Sequence, residues 1–290
     1  MPSRSEALTP NILRNWELPS GAGSKNDRGR ILIIGGARRS PGAAMLAGLA
    51  ALRVGAGRLT IAVAESVAAQ VAVAVPESGV ISLEQTATGA VRGRTNDLLR
   101  EEFERADAVV IGPGLDDADE ARLLLTALAP EIGASTPVLL DAYALGVLPD
   151  VTAATAPWRG RLVLTPNDAE MARLLGRDVD DREDDIRAIS EQYAAVTSAF
   201  GLVATPDGAL WQQGSGQAGL GTSGSGDVLA GAIGGLLARG ATAEQAACWG
   251  THLHATAGDR LAARIGPTGF LARELVDALP LVLAELGQRA

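Results

Sequence analysis

The chain has 290 residues, of which 47% are hydrophobic and 20% are charged, and its formal net charge at pH 7 is −9. This composition is typical of a globular protein with a sizeable core, and it excludes an intrinsically disordered chain. The acidity argues against a nucleic acid partner, and no segment has the roughly 18 consecutive apolar residues of a membrane span, so we expect neither partner.

The first half of the chain alternates short apolar segments with helical patterns. The segment "RILIIGG" (30–36) predicts a buried strand that ends at glycine, and "PGAAMLAGLAALRVGAG" (41–57) predicts a helix with proline in its first turn. We interpret residues 1–20 as an N-terminal arm. Further strands are predicted over 58–64, 106–114, 137–145 and 161–166, and further helices over 67–75, 120–132 and 168–176.

The second half adds a hairpin and a helical end. Residues 178–198 begin acidic and become helical, and 201–211 predicts a hairpin that turns at "PDG". Strands that are apolar throughout and alternate with helices indicate a mostly parallel sheet covered on both faces. We therefore expect a three-layer α/β/α fold and one domain over residues 1–290. The last predicted helices span 227–239, 242–264 and 270–286.

Single residues and local charge add three expectations. Residues 1–60 carry a net charge of +6, including the only lysine, Lys25, so an anionic ligand would be attracted most to this part. The only cysteine, Cys248, excludes an internal disulfide and is expected in the core. The start of the chain lacks the pattern of a signal peptide, which predicts a cytoplasmic protein.

A glycine-rich segment, "GLGTSGSGDVLAGAIGGLLARG" (219–240), precedes the first of the three final helices. Its glycines permit an anion-binding nest of backbone N–H groups at the helix start, where a phosphate fits. The alternative is an ordinary N-cap formed by Ser225 or Asp227. Asp227 lies at the positive end of the helix, where we expect it to be ionised and suited to act as a general base.

Other polar segments follow the predicted strands. These are "GGARRSPGAA", "GPGLDD", "DAYAL" and "TPNDAE". Ligands of parallel α/β sheets bind at the carboxyl ends of the strands, where such loops gather. The sequence therefore predicts a ligand site at this edge.

Six segments together resemble one known family. "SKNDRGRILIIGG", "SPGAAMLAGLAALRVGAG", "IGPGL", "LLDAYAL", "LTPNDAEMARLLG" and "GTSGSGDVLAG" occur in this order in the ADP-dependent NAD(P)H-hydrate dehydratases of the ribokinase-like superfamily, over about Pro10 to Leu286. The resemblance implies a ribokinase-like fold. It also implies repair of the S epimer of hydrated NADH or NADPH, coupled to conversion of ADP to AMP and phosphate.

The same resemblance implies roles for individual residues. Asp227 would deprotonate the added ring hydroxyl, and the neighbouring glycine would face the nucleotide phosphates. It further implies ADP as co-substrate, Mg²⁺, and a homo-oligomer with a tetramer as the expected form. The implied substrate-binding residues are Ala43, Gly114, Asn167 and Asp227, and the implied nucleotide-binding residues are Gly201, Gly224, Ser225 and Gly226.

The chain departs from the family pattern in three places. Asn167 stands where many members carry histidine, so a binding role survives there but a charged role does not. Phe200-Gly201 stands in a shorter loop where members commonly have Lys-Gly beside the nucleotide phosphates, and no second lysine replaces the lost charge. Tyr143 stands where the family often has Asp, so we name no metal ligands.

Two other functions fit parts of the sequence. The Gly-Asp loop alone also fits a ribokinase-like small-molecule kinase, and the missing lysine fits a catalytically impaired nucleotide-binding relative. His252 and His254 are two positions apart on a predicted helix and therefore point apart, so they do not hold one metal. We expect one of them to be packed and the other to be exposed.

Overall fold

The computed structural model describes residues 5–20, 24–216 and 218–287. The strands are β1 (Glu6–Leu8), β2 (Arg30–Ile34), β3 (Arg58–Ala64), β4 (Ser78–Leu83), β5 (Ala108–Ile111), β6 (Val138–Leu140), β7 (Leu162–Leu164), β8 (Ala195–Ala199), β9 (Leu202–Ala204) and β10 (Leu210–Gln213). The helices are α1 (Pro10–Asn15), α2 (Pro41–Arg53), α3 (Glu65–Ala74), α4 (Asp97–Phe103), α5 (Ala118–Leu128), α6 (Tyr143–Val147), α7 (Asp168–Leu175), α8 (Arg182–Tyr193), α9 (Ser225–Ala238), α10 (Ala243–Ile265) and α11 (Ala272–Glu285).

These strands form one sheet in the order β1-β10-β9-β8-β7-β6-β5-β2-β3-β4. The seven strands from β8 to β4 are parallel, β9 is antiparallel to both β8 and β10, and β1 pairs parallel with β10. After β4 the chain crosses back to the other side of β2. The adjacent strands β2 and β5 therefore form a topological switch point, where open α/β sheets bind ligands.

Apolar residues on both faces of the sheet explain the three layers. Along β2, Ile31 and Ile33 join the core beneath α2, α9, α10 and α11, whereas Leu32 and Ile34 join the core beneath α5 to α8. A strand buried on both faces carries an uninterrupted apolar run. The predicted α/β/α architecture with a mostly parallel sheet is confirmed.

Glycines allow α9 to pack closely on α2. A Cβ atom at Gly231 would lie 2.0 Å from the carbonyl oxygen of Ala47, and one at Gly235 would lie 2.6 Å from that of Ala51. A side chain at either position would force the helices apart. This contact holds the loop that precedes α9 beside the loop that precedes α2.

The structure corrects the expected N-terminal arm. Residues 6–8 form β1 on β10, α1 follows, and Leu8, Leu13 and Leu18 are buried because they pack against the core on the α9 face. Residues 1–4 lie outside the described residues. The sequence also missed β4 and α4, and the predicted strand over 137–145 ends at Leu140 because Tyr143 begins a helix. The helical interpretation of 178–198 is wrong at its end, because Ala194 takes a φ of +47° that ends α8 and residues 195–199 pair with β7 and β9 as strand β8.

Two other expectations concern burial and membranes. Cys248 is buried, as predicted, and so is the neighbouring Trp249. Among the helices of the described ranges, none has the length and apolarity that crossing a bilayer requires.

Candidate active site

The glycine-rich segment ends at Gly224, which is the N-cap of α9. Its φ of +89° is in the left-handed region, and a Cβ atom there would lie 2.7 Å from Leu46 Cδ1. No side chain caps the helix, so the ordinary N-cap alternative with Ser225 or Asp227 does not hold. Gly226, in the first turn, is exposed, and a Cβ atom there would meet no atom within 4 Å. The first turn of α9 therefore presents backbone to open space, the arrangement that binds anions at helix starts.

Ser225 is held by a histidine of α10. Its Oγ and His254 Nε2 form a buried hydrogen bond of 2.8 Å. His252 is also buried and bonds Gln213 Oε1 through Nδ1 at 2.9 Å, so the expectation that one of the two histidines would be exposed is wrong. The reason is that α10 packs against the sheet, α9 and α11 at once. Burial lowers the pKa of each histidine to about 4, so both are neutral at pH 7.

A cavity of about 540 Å³ opens beside the first turn of α9, and we call it the α9 cavity. Its volume is in the range of small-molecule sites, roughly 300–1,000 Å³. Among the described residues, its lining includes one side chain that is charged at neutral pH, Arg182, and no carboxylate. The predicted site residues that line it are Asn167, Gly201, Ser225 and Gly226.

A tight turn between β8 and β9 forms one rim of the α9 cavity. Phe200 and Gly201 both have positive φ, +52° and +79°, as two-residue hairpin turns require. This two-residue turn stands where the family resemblance implied a longer loop with Lys-Gly. Instead, the ring of Phe200 is 48% exposed, and the guanidinium carbon of Arg182 lies 4.2 Å from the ring centroid.

Three carboxyl groups cluster next to this region. Burial raises the pKa of Asp141 to about 6 and that of Glu170 to about 7. The pKa of Asp227 rises to about 7 because of burial and because of the charges of Asp141 and Glu170. The helix end therefore does not keep Asp227 fully ionised as expected, because burial and like charges outweigh it and leave the carboxyl group about half ionised at pH 7. A pKa near neutrality is the range in which a general base works best.

Local hydrogen bonds fix the other two carboxyl groups. Asp141 Oδ1 accepts from Thr165 Oγ1 at 2.9 Å. Asn167 and Glu170 form a capping box at the start of α7: Asn167 Oδ1 accepts from the backbone N–H of Glu170 at 3.0 Å, and Glu170 Oε2 accepts from that of Asn167 at 2.9 Å. Thr165 and Asn167 line the α9 cavity, so the carboxyl cluster adjoins it. Asn167 and Glu170 also line a smaller cavity of about 170 Å³, together with Tyr143.

Ala43 and Gly114 lie together at the switch point rather than in the α9 cavity. Gly114 follows β5 with a φ of +76°, and a Cβ atom there would lie 3.1 Å from Ala43 Cβ and 2.3 Å from the carbonyl oxygen of Ser40. Ser40 Oγ donates to the Gly114 carbonyl at 2.8 Å. The two predicted substrate residues thus lie close together, Ala43 in the first turn of α2 and Gly114 in the loop after β5.

The carboxyl cluster fits Mg²⁺ only in combination with oxygen atoms of a bound ligand. Within the described ranges, no group of three or more His, Cys, Asp or Glu side chains is arranged to hold a metal ion. Mg²⁺ is usually held by one or two carboxylates together with substrate phosphates. Carboxylates that raise one another's pKa fit that arrangement, because a cation would relieve their repulsion.

Several residues of the site were missed by the sequence interpretation. Asp141 and Glu170 belong to the quoted segments "DAYAL" and "TPNDAE", and their position after strands is the signal that identifies them. The spacing of Asn167 and Glu170 also marks a capping box. No comparable signal exists for Arg182 and His254, which reach the cavity from α8 and α10.

Comparison with known proteins gives one family. The family model described as NAD(P)H-hydrate dehydratase matches residues 31–281. The ADP-dependent (S)-NAD(P)H-hydrate dehydratase of Xanthomonas campestris is 43% identical over 98% of both chains. A bifunctional NAD(P)H-hydrate repair enzyme of Moorella thermoacetica is 37% identical over 91% of this chain, which spans 51% of that protein's length.

Solved structures agree on the fold. The ADP/ATP-dependent NAD(P)H-hydrate dehydratase from Bacillus subtilis, co-crystallised with ATP and Mg²⁺, has a TM-score of 0.79 and 25% identity over 98% of this chain and 99% of that one. A ribokinase-like superfamily protein from Enterococcus faecalis has a TM-score of 0.80 at 24% identity, over 97% and 96% of the two chains. The fold is therefore ribokinase-like.

Proposed function

Because the chain belongs to the NAD(P)H-hydrate dehydratase family, we propose that it restores hydrated NADH and NADPH, acting on the S epimer while ADP is converted to AMP and phosphate. The observation that carries the proposal is the position of Asp227. Its carboxyl group, with a pKa of about 7, lies in the first turn of α9 beside uncapped backbone and next to a cavity of about 540 Å³. A base and a phosphate site are thus adjacent.

The chemistry follows from the poor leaving ability of hydroxide. Asp227 accepts the proton of the hydroxyl on C6 of the hydrated nicotinamide ring, and that oxygen attacks the terminal phosphorus of ADP. The bond between this phosphorus and the bridging oxygen breaks, and AMP leaves. The C6–O bond of the resulting ester then breaks, phosphate departs, and loss of a proton from C5 restores the C5–C6 double bond.

The other residues bind and orient the reactants. We assign the terminal phosphate of ADP to the backbone around Gly224, Ser225 and Gly226. The N–H of Ser225 donates to the Thr222 carbonyl at 3.2 Å, so we assign the contact with the transferred phosphoryl group to the next N–H groups of the first turn, those of Gly226 and Asp227. Gly201 borders the nucleotide at the rim of the α9 cavity. The hydrated dinucleotide is assigned to Ala43 and Gly114 at the switch point and to Asn167, which lines both cavities.

Mg²⁺ belongs to the same proposal. The Bacillus subtilis relative was co-crystallised with ATP and Mg²⁺, and the carboxyl cluster of Asp141, Glu170 and Asp227 fits a cation shared with nucleotide phosphates. When bound, the ion neutralises phosphate charge. Asp141 and Glu170 would hold it, and Asp227 would remain the proton acceptor.

Location and assembly are further proposals. We place the protein in the cytoplasm as a homo-oligomer, with a tetramer as the expected form, on the family resemblance. Light scattering coupled to size-exclusion chromatography measures the oligomer directly.

A direct assay tests the function. Hydrated NADH is incubated with ADP, with ATP or with no nucleotide, and the near-ultraviolet absorbance of reduced nicotinamide is followed. We expect recovery with nucleotide only, and none with a folded Asp227→Asn variant. Recovery without nucleotide, or full activity of the variant, would contradict the proposal. Binding of nucleotide by an otherwise inert protein would favour the catalytically impaired relative.

A further inference from the structure

The nucleotide phosphates need a positive charge that this chain does not supply by a lysine. The turn at Phe200-Gly201 replaces the lysine-bearing loop, and Lys25 is the only lysine of the chain. The α9 cavity nevertheless carries one cation among the described residues, Arg182, while His254 is neutral there. A nucleoside diphosphate brings about three negative charges. A bound divalent cation would offset two of them and the start of α9 about half of one, so an arginine still has phosphate charge to compensate.

We infer that Arg182 is a nucleotide-binding residue that takes over the phosphate contact of the missing lysine, with Phe200 as the surface that positions its guanidinium group. This inference rests on the proposed function, because it assigns the nucleotide to the α9 cavity. It adds to the nucleotide site a residue of α8, whereas the glycine-rich segment lies at the start of α9.

The contacts of Arg182 show how its guanidinium is held. Its carbon lies over the ring of Phe200, 4.2 Å from the ring centroid. A cation held over an aromatic face is attracted by the ring and keeps N–H groups available for other partners. Its other partner is Asp168, whose carboxylate accepts from Nη2 at 3.1 and 3.2 Å. The side chains of this pair are 52% and 54% exposed, and ion pairs of that exposure are weak. A phosphate can therefore compete with Asp168 for the guanidinium.

The backbone of Phe200 supports a functional reason for the aromatic ring. A bulky residue at a φ of +52° is strained, and Asn or Gly would fit this turn position better. The ring is also left 48% exposed at the rim of the cavity, so it contributes little to the core. Strained residues of this kind cluster at ligand sites. The ring is explained if it carries the guanidinium of Arg182.

The position of Arg182 in α8 points the same way. It is the first residue of the helix, where a cation is disfavoured by the positive end of the helix dipole. The N-cap, Asp181, already satisfies the first backbone N–H groups of α8. Arg182 is therefore not needed to begin the helix.

The test uses calorimetric binding of ADP and of adenosine to the full chain. We expect Arg182→Ala to lower the affinity for ADP by at least about tenfold and to leave the affinity for adenosine and the Tm unchanged. Arg182→Lys, which keeps a point charge, should recover part of the loss. The matched control is Arg53→Ala, which removes an arginine with the same 52% exposure and an exposed carboxylate partner, Asp277, away from the cavity.

The outcomes separate this inference from the proposed function. Arg182→Ala binding ADP as tightly as the wild type would overturn the inference, and so would an equal loss of ADP and adenosine affinity with a lowered Tm. A wild-type protein that does not bind ADP would overturn it as well. If wild-type protein binds ADP, Arg182→Ala does not, and hydrated NADH is never restored, the proposed reaction fails while the role of Arg182 stands.

Discussion

Replacing Gly226 by alanine separates ligand binding from folding. The residue is the second of α9, has no positive φ, and offers open space for a Cβ atom, with no atom within 4 Å. Alanine in a helix is more stable than glycine by about 0.5–1 kcal/mol. At about 2–4 °C per kcal/mol for large single domains, the Tm should rise by about 1–4 °C.

The same methyl group would stand where we place the terminal phosphate of ADP. Backbone N–H groups bind phosphate only when the oxygen approaches to about 2.9 Å, and a side chain at the closest residue prevents that approach. We expect ADP affinity to fall by at least about tenfold, which is about 1.4 kcal/mol. Calorimetry gives the affinity, and differential scanning calorimetry gives the Tm.

Gly42→Ala is the matched control. Gly42 is the second residue of α2, and it too has no atom within 4 Å of a Cβ position. It should raise the Tm by a similar amount and leave ADP affinity unchanged. If Gly226→Ala binds ADP as tightly as the wild type, the phosphate does not bind at this backbone. If its Tm is lowered, the added methyl group does not fit into open space at Gly226.

The other predictions concern the carboxyl cluster and the Phe200 turn. The pKa of Asp227 is raised from 3.8 to about 7, so the folded state retains a proton that the unfolded chain has lost, and stability falls as pH rises from about 4 to about 7. The full shift of the Asp227 pKa corresponds to an upper limit of about 4 kcal/mol, part of which arises from its coupling to Asp141 and Glu170. Asp227→Asn should therefore be more stable than wild type by about 1–2 kcal/mol at pH 8 and equally stable at pH 4, as measured by denaturant titration. Equal stability at pH 8 would contradict this. Glu170→Gln keeps the capping box and removes a charge that raises the pKa of Asp227, so the acid limb of kcat/KM should move to lower pH, and an unmoved limb would show that the two groups do not interact. Phe200→Asn should raise stability by about 1 kcal/mol by relieving the positive φ, yet weaken ADP binding, and a loss of stability would contradict the assigned strain.

The central strands β2, β3, β5, β6 and β7 are predictable because they are apolar and buried on both faces, whereas β8 was missed because its sequence, AVTSA, contains Thr and Ser. Residues 31–34 form an uninterrupted apolar run, and the same holds for the neighbouring parallel strands. The edge strand β4 was missed because it contains Gly79 and buries only two of its six residues, which weakens its pattern. β1 was missed because three residues form a strand only when a distant partner, β10, offers them an edge.

The site was predictable only where its chemistry is local in sequence. The open first turn of α9 follows from the glycines before Asp227, whereas the pKa of Asp227 depends on Asp141 and Glu170, which follow other strands. The burial of the histidines was likewise not predictable from local sequence. Residues two apart on a helix point in different directions, but α10 packs on several sides, so both His252 and His254 are buried.

The charges around the α9 cavity connect nucleotide binding with the protonation of Asp227. The chain carries a net charge of −9, and three carboxyl groups lie next to the pocket that is proposed to receive an anion. Their raised pKa values show that the free protein holds some of them protonated near neutral pH, which reduces repulsion of the incoming nucleotide. A cation bound with the nucleotide phosphates would release those protons and leave Asp227 ionised when the substrate hydroxyl is in place. The base would thus become fully active only after the nucleotide and its ion are bound, because the charge that activates it arrives with them.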